Sequence, residues 1–259
     1  GTSGTLAIGE DIRGALGPLE LAERASGRFL QEQSVPSPFD FEANLEIIFI
    51  SDRTDHNRLV DKTVTAIEEV ASRLGGRTLG LFTSRGRLST ATDILDLRLR
   101  NQGISVIAPT SGNADPHELV RTFMDTERAV LLGSRAFWQG VDVPGPSCQA
   151  LVIEKLPFDV PSDPLLVRRG KIIEEDGGNA FMDFTLPRML LRLKQMVGRL
   201  IRTPSDRGIV VIVEPRSDKR YFGRLTDALP PGARYKKVPL AELGDHVDGF
   251  VKQLNLEQA

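Results

Sequence analysis

The sequence predicts an α/β protein built on a doubly wound, mainly parallel sheet flanked by helices. Six short runs rich in Val, Ile and Leu recur along the 259 residues. Most of these runs are apolar throughout, which is typical of strands buried on both faces of a parallel sheet. Longer stretches with helical periodicity separate them, so strands and helices alternate.

The elements follow from these runs in chain order. Candidate strands are residues 46–51, 78–83, 104–108, 129–133, 149–154 and 208–213. Candidate helices are residues 56–74, 88–101, 116–126, 164–175 and 186–201, with a closing helix over 240–254. Residues 1–41 do not follow the alternation, because they combine a short TSGTLA piece with a proline-rich SVPSPFDF stretch. We therefore predict a linker from an upstream domain over residues 1–41 and one α/β domain over 42–259.

Composition narrows the class of protein. The chain is 40% hydrophobic and 26% charged, and no apolar run reaches the roughly 20 residues that span a bilayer. Cys148 is the single cysteine, so the cysteines of this chain alone form no disulfide, zinc site or iron–sulfur cluster. Its three histidines are scattered. We expect a cytoplasmic protein with no membrane association and no metal site of its own.

Charge is unevenly distributed although the net charge is only −2. Between Thr185 and Lys237 there are thirteen basic and four acidic residues, a net charge of +9, which leaves −11 for the remainder. Such a run is often a solvated face, but it also fits a phosphate-rich ligand.

A Q-x-x-G-R-x-x-R pattern lies at the centre of this basic stretch, formed by Gln195, Gly198, Arg199 and Arg202. If the segment is helical, the amide and both guanidinium groups point the same way. The opposite face is apolar and is expected to be buried: Leu193, Met196, Val197, Leu200 and Ile201. An amphipathic helix with solvated arginines is common. Gly198, however, lowers the stability of a helix interior, so a glycine there suggests that another group approaches the backbone closely. Two planar guanidinium groups suit a nucleotide phosphate.

Three polar loops follow candidate strands, where a doubly wound sheet places its ligands. Their sequences are LFTSRGRL (residues 81–88), GSRAFWQGVDVPG (133–145) and EKLPFDVPSDP (154–164). Each alone is a weak signal, because glycine and proline belong in any such connection. We expect the two guanidinium groups to lie near these strand-end loops.

In this order, the loops and the arginine segment resemble the second RecA-like domain of superfamily 2 helicases, and most closely its XPD/DinG-like branch. LFTSRGRL is similar to helicase motif IV, GSRAFWQGVDVPG to motif V and QMVGRLIR to motif VI. TSGTLA is similar to motif III, with Gly4 where alanine is usual. The resemblance covers roughly residues 1–231 and implies a P-loop NTPase fold without its own phosphate loop.

The resemblance implies ATP with Mg²⁺ as the cofactor, in a cleft shared with an upstream RecA-like domain. This chain contains no G-x-x-x-x-G-K-[ST] loop and no D-E-x-H box, so we expect it to hold half of an ATP site. The implied catalytic residues are Arg199 and Arg202 on the γ-phosphate, with Gln195 beside them. Gly140 and Asp142 would lie near the ribose or γ-phosphate, although Asp142 could instead cap a turn.

For DNA, the resemblance implies 5′ to 3′ movement on single-stranded or forked DNA, in the cytoplasm and on the nucleoid of a bacterium. Candidate contacts to the DNA phosphates are Ser84, Arg85, Arg87, Ser134 and Arg135. Phe137 and Trp138 are either base-stacking platforms or, more commonly for such aromatics, core or interface residues.

Two alternatives remain open at the level of sequence. One is a non-catalytic module that keeps the fold and binds nucleic acid or a protein partner. The other is the helicase-like half of a nuclease-linked DinG relative, in which an upstream exonuclease performs the chemistry. The residues that precede this chain in its parent protein would separate these interpretations.

Overall fold

The structure is a computed structural model that describes residues 37–53, 55–110, 114–134, 137, 147–198 and 200–258. The TSGTLA segment and most of the predicted linker over residues 1–41 lie outside these ranges. The proposed boundary between linker and domain therefore stays a prediction.

A seven-stranded parallel sheet organises the described chain. Its strands are β1 (Leu45–Ile50), β2 (Thr78–Leu81), β3 (Ser105–Ile107), β4 (Ala129–Gly133), β5 (Ala150–Lys155), β6 (Gly208–Glu214) and β7 (Arg234–Val238). Their order across the sheet is β3-β4-β2-β5-β6-β1-β7. The predicted fold class is confirmed, and each of the six predicted strands is present within a few residues of its expected ends.

The seventh strand, β7, was not predicted. Its sequence is RYKKV, and only Val238 is buried. Among the described strands it lies at the edge of the sheet and pairs with β1 alone. Charged side chains are typical of edge strands, where they discourage pairing with other chains, so β7 lacks the apolar run that identifies the buried strands.

The helices lie between the strands. They are α1 (Phe41–Asn44), α2 (Leu59–Leu74), α3 (Arg85–Arg100), α4 (Pro116–Asp125), α5 (Pro164–Glu175), α6 (Leu186–Val197) and α7 (Leu243–Gln258). Short 3-10 turns occupy His56–Arg58, Arg220–Ala228 and Leu240–Glu242, and a π turn, Phe181–Thr185, leads into α6. The left-handed Gly75, with φ of +66°, ends α2.

A hydrophobic core lies on one face of the sheet, against the helices α2, α3 and α7. Ile48 and Ile50 of β1 belong to this core, since alternate residues of a strand point to the same face. Helix α2 contributes Val64, Ile67 and Val70 to the same cluster. This core fixes the strand ends that carry the candidate functional residues.

The end of α6 corrects a central sequence prediction. The helix was expected to continue to residue 201 and to present Gln195, Arg199 and Arg202 on one face, but it ends at Val197. Gly198 lies in a turn, and Thr203 precedes a proline, which disfavours helical backbone. Arg202 therefore lies in a loop. The predicted burial of the apolar face is confirmed for Leu193, Met196, Val197, Leu200 and Ile201.

The chain divides into two compact units. The larger unit contains Phe39–Leu156, Val197–Lys219 and the residues from Pro231 onward, and it includes the whole sheet. The smaller unit contains Pro157–Met196 and Arg220–Pro230. Within it, the rings of Phe158, Phe181 and Tyr221 lie together, with centroids 5.3 to 6.0 Å apart.

Candidate functional site

Three candidate nucleic-acid contacts lie at the carboxyl ends of neighbouring strands. Ser84 follows β2 and caps α3, where its Oγ accepts a 3.5 Å hydrogen bond from the backbone N of Arg87. Arg85 is the exposed first residue of α3. Ser134 follows β4, and Leu81 of β2 lies opposite Gly133 of β4 in the parallel register. The structure therefore brings Ser84, Arg85 and Ser134 to one edge of the sheet.

The guanidinium group of Arg87 is bonded to other side chains of the larger unit. Its Nε contacts Oε1 of Glu154, and its Nη2 donates to Oε2 of Glu154 at 3.1 Å and to Oγ1 of Thr83 at 2.6 Å. Glu154 is fully buried at the end of β5. The carboxylate also accepts hydrogen bonds from the backbone N of Thr83 at 3.0 Å and from its Oγ1 at 2.7 Å. Glu154 thus ties the end of β2 and the first turn of α3 to the central strand β5.

Sequence reasoning missed Glu154. It stands at the end of an apolar run, LVIE, and an acid at the end of a strand commonly faces solvent. A buried carboxylate needs a cationic or hydrogen-bonding partner. The arginines of the LFTSRGRL loop were a possible signal, although the sequence does not show that β2 and β5 are neighbours.

The neighbouring Lys155 has an altered electrostatic environment. Burial lowers the pKa of its amine, and the nearby Arg87 lowers that pKa further, against the opposing effect of Glu154. In the register of the sheet, Lys155 lies opposite Glu214 of β6. Acidic and basic side chains therefore stand together at the carboxyl ends of β5 and β6.

Phe137 is a core residue. It is 2% exposed, and a Cβ built on Gly133 would come within 2.5 Å of its ring. The glycine at the end of β4 is therefore required for this close approach. Of the two alternatives for Phe137, the more common one, a core position, is confirmed, and the buried ring is not available to stack on a base. Trp138 lies outside the described residues.

Arg202 lies in a short loop that precedes β6. Its backbone N donates to Oδ2 of Asp206 at 2.8 Å, and so does the backbone N of Thr203, also at 2.8 Å. Burial raises the pKa of Asp206, but these hydrogen bonds outweigh it and hold the pKa below its usual value. Burial also lowers the pKa of the half-buried Arg202, which Asp206 partly offsets. The guanidinium remains a cation at neutral pH.

The loop with Arg202 lies at the amino edge of the sheet, opposite Ser84 and Ser134. Asp206 comes two residues before the first residue of β6, Gly208. The seven residues of β6 separate the two edges by about 20 Å at roughly 3.3 Å per residue. We expected Arg202 to lie near the strand-end loops. This expectation is wrong with respect to the first residues of those loops, which the structure describes and which lie at the opposite edge. Arg202 lies at the amino edge because its loop leads into β6, and every strand of a parallel sheet begins at that edge.

The remaining candidates divide between the smaller unit and the undescribed segments. Gln195 is half-buried on α6 in the smaller unit. The following candidates lie outside the described residues: Gly140, Asp142, Arg135 and Arg199. Their assignments stay predictions.

The basic stretch is divided between the two units, and several of its cations are paired with acids. In the smaller unit, Asp159 pairs with Arg188 at 2.9 Å and with Arg192 at 2.5 Å. In the larger unit, Lys236 pairs with Glu46 at 2.9 Å. Net charge in this part of the sequence therefore overstates the positive charge that is available to a ligand.

Within the described ranges, no group of three or more His, Cys, Asp or Glu side chains is arranged to hold a metal ion. None of the helices found there is long and apolar enough to cross a membrane.

Residues 67–232 match the profile of the family described as Helicase C-terminal domain. The chain is 30% identical over 208 residues to the protein named 3′-5′ exonuclease DinG of Bacillus subtilis, covering 78% of this chain and 22% of that protein. It is 30% identical over 243 residues to the ATP-dependent DNA helicase YoaA of Escherichia coli, covering 93% of this chain and 36% of YoaA. The chain thus spans between about a fifth and about a third of the length of these relatives.

A solved structure titled XPD_Helicase shares the fold, with a TM-score of 0.52 and 16% sequence identity. The superposition covers 75% of this chain and 35% of that structure. The matched family region includes both the loop at Ser84 and the loop at Arg202, so it contains both edges of the candidate site.

Proposed function

Since the chain belongs to the helicase C-terminal domain family, we propose that it is the C-terminal motor domain of a DinG-like, ATP-dependent 5′ to 3′ DNA helicase. One observation carries the proposal. The family match includes two separate polar surfaces on one sheet, a loop with Arg202 at the amino edge and hydroxyl and arginine side chains at the carboxyl edge. A motor needs both, because it must couple a nucleotide to a grip on a nucleic acid strand.

The amino edge suits the γ-phosphate end of ATP. Bound ATP with Mg²⁺ would supply the phosphoryl group that is transferred to water. Guanidinium groups fit phosphate oxygens through paired, charge-assisted hydrogen bonds, so the donor set here is compatible with this ligand. Arg202 and Arg199 would stabilise the negative charge that develops in the transition state, and Gln195 is a further candidate for contact with the nucleotide. Such an arginine is worth about 10³ to 10⁵ in rate.

The rest of the nucleotide site would come from elsewhere. Gly140 and Asp142 would lie near the ribose or γ-phosphate, and the phosphate loop and Mg²⁺ ligands would come from the upstream RecA-like domain of the same protein. This division fits the sequence, which has no phosphate loop.

The carboxyl edge suits the phosphates of single-stranded DNA. Arg85 is exposed at the start of α3, Ser84 presents its hydroxyl at the same point, and Ser134 lies on the adjacent strand end. Arg135 extends this set. Arg87 is bound to Glu154, so we assign it to holding the first turn of α3 rather than to a direct phosphate contact. A protein that moves on DNA works where DNA is kept, which in a bacterium is the cytoplasm and its nucleoid.

The test of the ATP assignment is Arg202→Ala in the full-length parent protein, compared with Arg224→Ala as a matched control. Arg224 is an exposed arginine that pairs with Asp227. We expect Arg202→Ala to lower kcat for DNA-stimulated ATP hydrolysis by about 10³-fold or more, with a much smaller change in KM. Turnover equal to that of the Arg224→Ala protein would refute the assignment.

Polarity is tested separately with partial duplexes that carry either a 5′ or a 3′ single-stranded tail. We expect the full-length protein to unwind the 5′-tailed substrate with ATP. Equal or preferred unwinding of the 3′-tailed substrate would refute the proposed direction without affecting the ATP assignment.

A second candidate is the helicase-like half of a nuclease-linked protein. It is favoured by the 30% identity to the Bacillus subtilis relative, whose name describes an exonuclease. In that case the full-length parent protein would degrade DNA from a 3′ end, and Arg202→Ala would leave this activity intact. Absence of nuclease activity in a parent that hydrolyses ATP would exclude the second candidate.

A further inference from the structure

The loop of Arg202 is held by two side chains that the sequence patterns did not identify. We propose that Asp206 and Asn44 are positioning residues, which fix the backbone of Arg202 for its role in ATP hydrolysis. The inference rests on the proposed function, because it assumes that Arg202 acts on the nucleotide.

Asp206 closes the loop from within. One oxygen of its carboxylate accepts hydrogen bonds from the backbone N–H groups of both Arg202 and Thr203, at N–O distances of 2.8 Å each. These N–H groups lie beyond the end of α6, so the carboxylate takes the place that a helix carbonyl would have. A carboxylate is an acceptor of charge-assisted hydrogen bonds, which are stronger than neutral ones. Asp206 therefore determines the backbone direction at Arg202.

Asn44 holds the same loop from outside. Its side chain is 3% exposed, and its Nδ2 donates to the backbone O of Pro204 at 2.9 Å, across 160 residues of sequence. Asn44 is the last residue of α1, directly before β1, and Leu45 of β1 lies opposite Gly208 of β6. The hydrogen bond therefore ties the loop that precedes β6 to the start of the neighbouring strand β1.

The other side of Arg202 is anchored by packing. Leu200 and Ile201 are both buried. A Cβ built on Gly208 would lie 3.0 Å from the Cβ of Leu200, so the start of β6 packs closely against this anchor. Arg202 is thus flanked by two buried side chains on one side and by the Asp206 and Asn44 contacts on the other.

This arrangement predicts a preorganised arginine. A catalytic group misplaced by about 1 Å can cost about 10²-fold in rate, and a loop released from its acceptor loses the geometry that directs the guanidinium group. The chemistry needs only an oxygen acceptor at position 206, because the partners are backbone N–H groups. A side-chain amide oxygen at this position satisfies the same requirement.

The experiment compares Asp206→Ala, Asp206→Asn and Asn44→Ala in the full-length parent protein, with Asp218→Ala as the control. Asp218 is an exposed acid whose side chain pairs with its neighbour Lys219. We expect Asp206→Ala to lower kcat for ATP hydrolysis by about 10- to 100-fold with little change in KM. Asp206→Asn should restore most of the turnover. Asn44→Ala should show a smaller loss in kcat, and Asp218→Ala should match the parent protein.

A double-mutant cycle separates positioning from general destabilisation. If Asp206 acts through the guanidinium group of Arg202, then Asp206→Ala should have almost no further effect on the residual kcat in an Arg202→Ala background, where that group is absent. Additive losses in that background would overturn the proposal, as would an Asp206→Asn protein as impaired as the alanine variant. Because both results are ratios of kcat among folded proteins, they remain informative if one variant has a lower Tm.

Failure of this proposal is distinguishable from failure of the proposed function. If Arg202→Ala leaves turnover intact, the role of Arg202 itself is refuted. If Arg202→Ala abolishes turnover while Asp206→Ala leaves kcat unchanged, Arg202 retains its role and only the positioning residues are refuted.

Discussion

The buried ion pair between Arg87 and Glu154 gives the sharpest prediction for stability. Glu154 has no exposed side-chain area, whereas Arg87 retains 22%. Arg87→Met keeps the aliphatic part of the side chain and removes the charge, so the carboxylate keeps only its two hydrogen bonds from Thr83. Removing one partner of a buried pair costs about 3 to 5 kcal/mol.

The expected loss lies at the lower end of that range, at about 3 kcal/mol, because Arg87 is partly solvated. For a protein of this size, each kcal/mol lowers Tm by about 2 to 4 °C, so Arg87→Met should lower Tm by about 6 to 12 °C. Thermal unfolding at neutral pH, followed by far-ultraviolet circular dichroism, measures this shift.

Two controls identify the cause of the shift. Arg85→Met changes an exposed arginine in the same turn and should alter stability by no more than about 0.5 kcal/mol. Adding Glu154→Gln to Arg87→Met removes the uncompensated buried charge and should recover part of the lost stability. A loss below about 1 kcal/mol in Arg87→Met, or a further large loss in the double variant, would refute the reasoning.

Three further predictions concern other described residues. Arg85→Ala should weaken binding of the full-length protein to single-stranded DNA and reduce the slope of log K against log salt by about 0.7, which a fluorescence titration across salt concentrations would measure. Burial raises the pKa of the Cys148 thiol to about 12, so the native protein should react with a thiol reagent at neutral pH only after unfolding, and rapid labelling would contradict this burial. Burial raises the pKa of Asp159, but its bonds to Arg192 and Arg188 outweigh this and hold the pKa below its usual value. The bonds of Asp159 to the two arginines therefore stabilise the fold fully above the ordinary Asp pKa of about 3.9, and this stabilisation is lost as the pH falls through the lower pKa of the folded state. Asp159→Asn should show a smaller decrease in stability over that acidic range, as measured by urea unfolding.

Much of the sheet was predictable because buried parallel strands are apolar along their whole length. The runs that became β4 and β6 were identified from composition alone, and both are fully or almost fully buried. The edge strand β7 was missed for the same reason, since four of its five residues are exposed. The end of α6 was also missed, because the apolar periodicity continues through Leu200 and Ile201 after the helix has stopped.

Local patterns selected the candidate residues of the site but did not predict how those residues are arranged. The Q-x-x-G-R-x-x-R pattern selected Arg202 as a candidate, and the LFTSRGRL loop selected Ser84, Arg85 and Arg87, whose functional roles stay predictions. The structure then placed Arg202 and Ser84 at opposite edges of the sheet and bound Arg87 to Glu154. These outcomes depend on where each segment enters or leaves the sheet, which a local pattern does not report.

The sequence by itself determined six of the seven described strands, the burial of their apolar runs and which residues carry a charge or a hydroxyl. These properties follow from side-chain hydrophobicity and periodicity within about a dozen neighbouring residues. Only the tertiary structure decided which partners these groups meet. Asn44 reaches Pro204 across 160 residues and Arg87 reaches Glu154 across 67. Both contacts exist because the sheet orders its strands as β2-β5-β6-β1, an order set by packing of the whole chain rather than by any one segment.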